Sequence, residues 1–226
     1  MKTALKKALK SAGVTRLAVA SSRMCCERHL IAALGRARRR YIGRILCYHS
    51  IGQSQWGVND VTPAQFRRQI ERALDAAPIM KEYNLPWTIF PVSEWSDGRH
   101  WTNDNVILTW DEIETLLAMG AEMGSHSATH SDFGQMCHDQ IVDELAGSRD
   151  MFERRIGIKP DTFAIPFGQS ANWTPEAGEI AKAAGYKVIF AQAEDTRPEN
   201  TIPRTFVTKF DGDFIFNALL KGKFDR

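Results

Sequence analysis

The chain has 226 residues, of which 43% are hydrophobic and 25% charged, close to the averages for globular domains. This composition excludes wholesale disorder and fibrous architectures, and the length fits one domain, or one domain with an appendage. No apolar run approaches the roughly 18–20 residues that cross a bilayer, so an integral membrane protein is not expected. The cysteines are few, scattered and without C-x-x-C spacing, which favours a reducing compartment over a disulfide framework.

The net charge of +2 conceals an uneven distribution. Residues 1–44 carry a net charge of +11 with Glu27 as their one acid, whereas the rest of the chain carries −9. The apolar stretches of this basic segment are too short for a secretory signal, so we expect a cytoplasmic protein. Two interpretations of residues 1–42 stay open: a solvated helical extension with an Arg-rich linker, or a basic helix lying on an anionic membrane surface.

From residue 43 onward, short apolar runs alternate with helical patterns, which is typical of an α/β fold. The predicted strands are residues 45–48, 87–92, 121–125, 162–165 and 187–191. The predicted helices are a helix opened by Thr62-Pro63, a helix capped by Thr109, a long helix over about 136–155, and a helix over 175–184 that ends at Gly185.

His126 and His130 follow the predicted strand 121–125 and are four residues apart. At the carboxyl end of a strand, where α/β folds build their sites, both imidazoles can reach one divalent metal ion. The H-x-x-x-H spacing is also common by chance, so two structural or surface histidines remain the alternative.

Three segments in this order resemble the polysaccharide deacetylases of the NodB homology type: Tyr48-His49-Ser50, the stretch from Met123 to His130, and Phe163-Ala164-Ile165-Pro166-Phe167-Gly168. The resemblance covers about residues 43–208. It implies a distorted, incomplete (β/α) barrel over residues 43–226, preceded by the basic helical extension 1–42. It also implies a metal-dependent hydrolase that removes acetyl groups from a carbohydrate.

The resemblance also implies roles for particular residues. His126 and His130 match the metal-binding histidines, with zinc as the first expectation and cobalt or nickel as alternatives. Arg204 matches a basic residue that steadies the catalytic carboxylate in many members, although a plain surface arginine is the alternative. The substrate-binding candidates are Tyr48, His49, Pro166, Phe167, Gly168 and Trp173. Ala164 stands where many members carry an arginine.

Aromatic residues fall in loops expected near the strand ends, and a sugar face can stack on such rings. They could equally cover the rim of the barrel. These residues are Trp95, Trp101, Phe133, Phe167 and Trp173.

The T-F-D-D-G motif, which supplies the family's general base and third metal ligand, is absent. It belongs on a strand before Met80, but residues 74–80 join two predicted helices directly, which breaks the α/β alternation. We infer that a strand-bearing segment is missing. The segment Thr109-Trp110-Asp111-Glu112 imitates the motif, but its spacing is that of a helix capping box.

The family's late histidine acid is also absent, because no histidine follows His138. His49 and Arg204 remain weak catalytic candidates, and Asp104 or Asp111 would be the alternative base if the chain were active. Three functions therefore stay open: an impaired carbohydrate deacetylase, a non-catalytic glycan-binding member, and a docking module acting through the basic N-terminus on a membrane. Nucleic acid is the less favoured partner of that segment.

Overall fold

A computed structural model describes residues 16–35, 46–47, 50–51, 60–61, 86–99, 107–193 and 196–224. The chain divides into two compact units. The first comprises residues 1–65 and 206–225, and the second comprises residues 66–205 with Arg226. The domain boundary predicted at residue 42 remains a prediction.

The helices of the described residues are α1 (Arg16–Leu34), α2 (Ser93–Ser96), α3 (Trp110–Ala118), α4 (His138–Val142), α5 (Ser148–Ile156), α6 (Pro175–Ala184) and α7 (Asp213–Leu220). The strands are β1 (Leu46–Cys47), β2 (Ser50–Ile51), β3 (Asp60–Val61), β4 (Thr88–Ile89), β5 (Glu122–Met123), β6 (Thr162–Ala164), β7 (Val188–Gln192) and β8 (Ile202–Phe206). A π-helical turn, Asp143–Gly147, joins α4 to α5.

In the first unit, one face of α1 packs against the C-terminal helix α7. Arg28 and Asp211 form a buried ion pair, and Ala32 is 1% exposed. The guanidinium of Arg28 also lies 4.8 Å from the ring centroid of Phe224. The described part of the basic segment is therefore helical from Arg16 to Leu34, and one of its faces is covered. The choice between a solvated and a membrane-bound helix concerns the other face, where Leu34 is exposed.

The second unit contains parallel strands. Strand β4 pairs with β5, and β6 pairs with β7 in a register that sets Phe163 opposite Ile189. Strand β7 in turn pairs with β8, with Phe190 opposite Ile202. Ser125 forms a parallel bridge to Phe163, which links the end of β5 to β6. Within the described residues these sheets do not close into a ring.

The main core of the second unit lies between the sheet and the helices α4 and α6. Its fully buried members come from a short 3₁₀ turn before α4, from α4 and the π-helical turn, from β6 and the residue that follows it, from α6 and from β7. They are Phe133, Ile141, Leu145, Phe163, Ile165, Ala177, Ala181 and Ala191. A smaller cluster of Ile113, Met123 and Phe152 lies under α3.

Most predicted elements are present where the chain is described. Helix α6 has the predicted bounds, and Gly185 ends it in the left-handed conformation with φ 99°. The long helix exists as α4, the π turn and α5. The predicted helix after Thr62 and the predicted loss of a strand at residues 74–80 lie outside the described residues. Among those described, no helix is both long and apolar enough to cross a bilayer.

Candidate functional site

The histidine-bearing loop, residues 124–130, is held to β6 at its start by backbone hydrogen bonds. The N–H of Ser125 donates to the carbonyl of Thr162, and its own carbonyl accepts from the N–H of Ala164, both at 2.9 Å. A Cβ on Gly124 would lie 2.2 Å from the ring of Phe90, so only glycine fits this close approach. The loop therefore leaves the carboxyl end of β5 with its first residues held by the sheet.

Two residues of this loop adopt left-handed backbone conformations without being glycine, Ser127 with φ 72° and His130 with φ 66°. Such conformations are costly and persist where hydrogen bonds impose them. The hydroxyl of Ser125 accepts from the N–H of Ser127 at 3.2 Å, and the hydroxyl of Ser127 accepts from the N–H of His130 at 2.8 Å. The turn brings the His126 and His130 rings to a centroid distance of 4.7 Å.

The imidazole of His126 is oriented by the backbone. Its Nδ1 lies 2.6 Å from the carbonyl oxygen of Ala164. Because a carbonyl only accepts hydrogen bonds, Nδ1 carries the proton in this contact, and in the neutral form of the ring the lone pair is on Nε2. A carbonyl partner of this kind is the usual support of a metal-binding histidine.

The imidazole of His130 lies between two aromatic rings. Its centroid is 5.3 Å from that of Trp95, which stacks on it, and 4.8 Å from that of Phe167, which meets it edge-on. Burial, together with a smaller effect of the positive charge of Arg204, lowers the pKa of His130 to about 4. His130 is therefore neutral at pH 7, which is the protonation state that binds a metal ion.

The segment Pro166-Phe167-Gly168 forms a tight turn beside His130. Phe167 has φ 60° and is 52% exposed, so its ring is open to solvent next to the imidazole. The carbonyl of Gly168 accepts from the N–H of Gln192 at 2.7 Å, which fixes the turn to β7. A Cβ on Gly168 would lie 3.2 Å from the guanidinium of Arg204. The turn thus presents one exposed aromatic ring on a rigid base.

Arg204 lies on β8 and is 7% exposed. Its guanidinium donates to the carbonyl of Ile165, immediately before the Pro166-Phe167-Gly168 turn. The alternative interpretation as a surface arginine is therefore wrong for this structure, because the side chain is buried under the turn. A guanidinium stays protonated, so Arg204 cannot serve as a general base.

The loop aromatics separate into two groups. Trp95 and Phe167 flank His130, but Phe133 and Trp173 lie in the hydrophobic core, where their ring centroids are 5.2 Å apart. Trp173 is 8% exposed and Phe133 is fully buried. The structure thus gives Trp173 a packing role in the core rather than a position on the surface. A loop position makes Trp173 a substrate-binding candidate in the sequence. Its burial by helices that are distant in the sequence leaves no signal in the residues around it.

Several other candidates are also located. Asp111 is exposed in the first turn of α3, and Thr109 with Glu112 forms the expected capping box. His138 lies on the surface and contacts Glu176 at 2.9 Å. Tyr48, His49, Trp101 and Asp104 lie outside the described residues.

The imidazoles of His126 and His130 are suited to binding a divalent metal ion. Two adjacent rings are present, one oriented by a carbonyl and one kept neutral by burial. Within the described part of the chain, no group of three His, Cys, Asp or Glu side chains could hold an ion. Among the residues described, no third side chain of these four types therefore lies with the two imidazoles.

The sequence of this site matches a known family. A model of the polysaccharide deacetylases matches residues 71–189, more than half of the 226 residues. The chain belongs to the polysaccharide deacetylase family. The predicted family is thereby confirmed, and two of the three segments that resemble it, 123–130 and 163–168, lie within the matched residues.

Two curated relatives come from Bacillus subtilis. The uncharacterized protein YlxY is 30% identical over 91 residues, which cover 40% of this chain and 25% of the relative. The putative polysaccharide deacetylase YxkH is 23% identical over 114 residues, 50% of this chain and 38% of the relative. The aligned part of the chain thus spans between a quarter and two-fifths of the length of these relatives.

Solved structures share the fold. The Streptococcus pyogenes deacetylase PplD, solved in complex with acetate, is 18% identical with a TM-score of 0.61, covering 79% of this chain and 96% of that chain. A polysaccharide deacetylase from Bacillus cereus is 16% identical with a TM-score of 0.55, covering 78% of this chain and 68% of that chain. The predicted α/β fold of the deacetylase type is confirmed.

Proposed function

We propose that this chain is a carbohydrate deacetylase-type hydrolase that binds one divalent metal ion through His126 and His130 and turns over slowly or not at all. The observation that carries the proposal is the pair of imidazoles 4.7 Å apart, with His130 kept neutral by burial. Membership of the deacetylase family supports the reaction class.

In this proposal the Nε2 atom of His126 and the imidazole of His130 hold the ion, with zinc as the first expectation and cobalt or nickel as alternatives. A bound ion of this kind supplies a Lewis acid for an acetyl carbonyl and lowers the pKa of a coordinated water. Two neutral ligands give the ion no compensating negative charge. We therefore expect weaker binding than at a site that includes a carboxylate.

The proposed substrate is an acetylated oligo- or polysaccharide. The ring of Phe167 is exposed beside His130 and offers an apolar face on which a sugar can stack. Arg204 holds the carbonyl of Ile165 and so supports the turn that carries this ring. Phe167 would thus position a sugar next to the imidazole pair.

The proposed impairment follows from the sequence. No Asp-Asp pair occurs anywhere in the 226 residues, so neither the family's base nor its charged ligand has a match. General acid–base catalysis contributes roughly 10²- to 10⁴-fold to rate. A chain without a base should lose at least this factor relative to a complete family member.

Metal binding tests the first part of the proposal. Dialysed protein is titrated with Zn²⁺ and Co²⁺ in a calorimeter, and His126→Ala and His130→Ala are each expected to abolish stoichiometric binding. His138→Ala is the matched control, because His138 is exposed on α4. Equal binding by the protein with both His126 and His130 replaced would place the metal elsewhere.

Acetate release tests the second part. Acetylated chito-oligosaccharide is incubated with the chain at saturating metal, with and without a Thr-Phe-Asp-Asp-Gly strand inserted between Ala76 and Ala77. We expect the insertion to raise both metal affinity and acetate release. Sugar binding without acetate release would support the non-catalytic alternative. Ordinary turnover by the chain as it stands would refute the impairment and direct attention to Asp104 or Asp111.

A further inference from the structure

Glu144 is a buried carboxylate in the π-helical turn between α4 and α5, and it is 7% exposed. It belongs to none of the segments that carry the family resemblance. A carboxylate is rarely buried unless other groups satisfy its oxygens. The groups that do so here belong to the histidine-bearing loop.

Each oxygen of Glu144 accepts hydrogen bonds from the middle of this loop. Oε2 accepts from the N–H groups of Ala128 and Thr129, both at 3.0 Å. Oε1 accepts from the hydroxyl of Thr129. Ala128 and Thr129 lie halfway between His126 and His130, so the carboxylate holds the segment that sets the separation of the two imidazoles.

The histidine-bearing loop needs a hydrogen-bond acceptor such as Glu144. Ser127 and His130 both have positive φ values, and the backbone N–H groups inside so tight a turn require hydrogen-bond acceptors. The carbonyls of Ser127 and Ala128 are held from the other side, by the N–H groups of Ser93 and Glu94 at the start of α2. The turn is thus fixed between α2 and Glu144.

The π turn explains how the helix reaches the loop without leaving the core. Leu145, next to Glu144, is fully buried in the main core, and its carbonyl accepts a hydrogen bond from the hydroxyl of Tyr186 at 3.1 Å. Glu144 therefore contacts the histidine-bearing loop, while its neighbour Leu145 packs in the hydrophobic core. Single π turns inside α-helices are frequent at functional sites.

We propose that Glu144 is a positioning residue for the His126–His130 pair: by holding Ala128 and Thr129 it sets the geometry in which both imidazoles can bind one ion. The metal-binding part of this inference rests on the proposed function. The positioning of the rings does not, because it is a property of the metal-free chain.

The test compares Glu144→Ala with Glu144→Gln. The amide oxygen of glutamine can still accept from both backbone N–H groups, whereas alanine leaves them without this acceptor. Co²⁺ affinity is followed through the visible absorption of the bound ion. We expect alanine to weaken binding roughly 10- to 100-fold, as is typical for loss of a supporting partner, and glutamine to restore most of it. Asp143→Asn, at the exposed neighbouring position, is the matched control.

A second readout needs no metal. The imidazole resonances of His126 and His130 and the amide exchange rates of Ala128 and Thr129 are recorded by NMR. In Glu144→Ala we expect shifted imidazole resonances and faster exchange at both amides, and in Glu144→Gln we expect values close to the parent chain. If Glu144→Ala does not fold, Glu144→Asp takes its place, because its shorter side chain withdraws the carboxylate from the loop.

The outcomes separate the two proposals. If the parent chain binds Co²⁺ through the histidines and Glu144→Ala binds it equally tightly with unchanged resonances, the positioning role is overturned and the proposed function stands. If the parent chain binds no Co²⁺, the metal proposal fails, and the NMR readout alone decides the role of Glu144. Unchanged resonances and exchange rates would then overturn that role.

Discussion

Asp211 in the first unit and Glu144 in the second are both buried carboxylates, and they are satisfied in different ways. Asp211 is fully buried and pairs with the guanidinium of Arg28, which is 183 residues away in the sequence. Glu144 accepts from backbone N–H groups only 15 and 16 residues away, together with a threonine hydroxyl. Asp211 also accepts from the N–H of Thr208 at 2.8 Å, so it joins distant parts of the chain and holds its own turn, whereas the partners of Glu144 all come from one short loop.

An ion-pair partner and backbone N–H partners have different consequences for stability and for local geometry. A buried ion pair is worth little in net stability, but removing one member leaves an uncompensated charge that is very costly. Backbone N–H groups carry no net charge, and their direction is set by the local turn, so they transmit a precise geometry. We therefore expect a substitution of Asp211 mainly to lower the free energy of unfolding, and a substitution of Glu144 mainly to change the geometry of the His126–His130 pair.

The largest expected effect comes from Asp211→Ala, which leaves Arg28 buried without its carboxylate. We expect a loss of about 3–5 kcal/mol in the free energy of unfolding, measured by urea denaturation. Asp213→Asn is the matched control, because Asp213 is exposed at the start of α7. An apolar pair, Arg28→Met with Asp211→Leu, should recover most of the loss. A similar loss from Asp213→Asn would contradict the special role of the buried pair.

A change of intermediate size in the free energy of unfolding is expected when acidic pH protonates His130. Its pKa is about 4 in the folded chain against about 6.5 unfolded, so the unfolded chain takes up the proton first as pH falls. The contribution of His130 should therefore lower stability from about pH 6.5 to pH 4 and become constant below pH 4, by up to about 3 kcal/mol in total.

This dependence is measured as the difference in unfolding free energy between the parent chain and His130→Gln at several pH values. The difference should change over that window, because glutamine does not titrate. His138→Ala is the control and should keep the steep acid dependence of the parent chain. A constant difference between parent and His130→Gln would show that His130 keeps an ordinary pKa.

The smallest effect is expected at an exposed ion pair on the same helix as Arg28. Arg23 and Glu27 are in contact at 2.7 Å, but their side chains are 80% and 54% exposed. Glu27→Gln should therefore change the free energy of unfolding only slightly, and the change should shrink in high salt. A loss approaching that of Asp211→Ala would mean that burial does not explain the difference between the two pairs.

Locally encoded features were predictable from the sequence. The capping box at Thr109 and the bounds of α6 are set by cap residues within a few positions, and Gly185 ends that helix as its type suggests. The positions of β5 and β6 followed from short apolar runs. The proximity of His126 and His130 followed from their spacing after β5.

Features that depend on distant contacts were not predictable in the same way. The pairing of Arg28 with Asp211 joins opposite ends of the chain, and neither residue stands out in its local sequence. The loop position of Trp173 makes it a candidate for stacking on a sugar or covering the barrel rim, but helices and strands from elsewhere in the sequence bury it. Glu144 reads as an ordinary helix residue, because the π turn that carries it has no clear sequence signal.

The π turn has an evolutionary consequence. A turn of this kind contains one residue more than a regular α-helix needs, so deleting one codon within residues 143–147 could leave α4 and α5 as a single continuous helix. Both flanking helices would keep their buried faces, Ile141 on one side and Phe152 on the other. The fold could therefore survive a frame-preserving deletion that removes the support of the histidine loop. This helix is a place where a lineage could lose the site while keeping the scaffold.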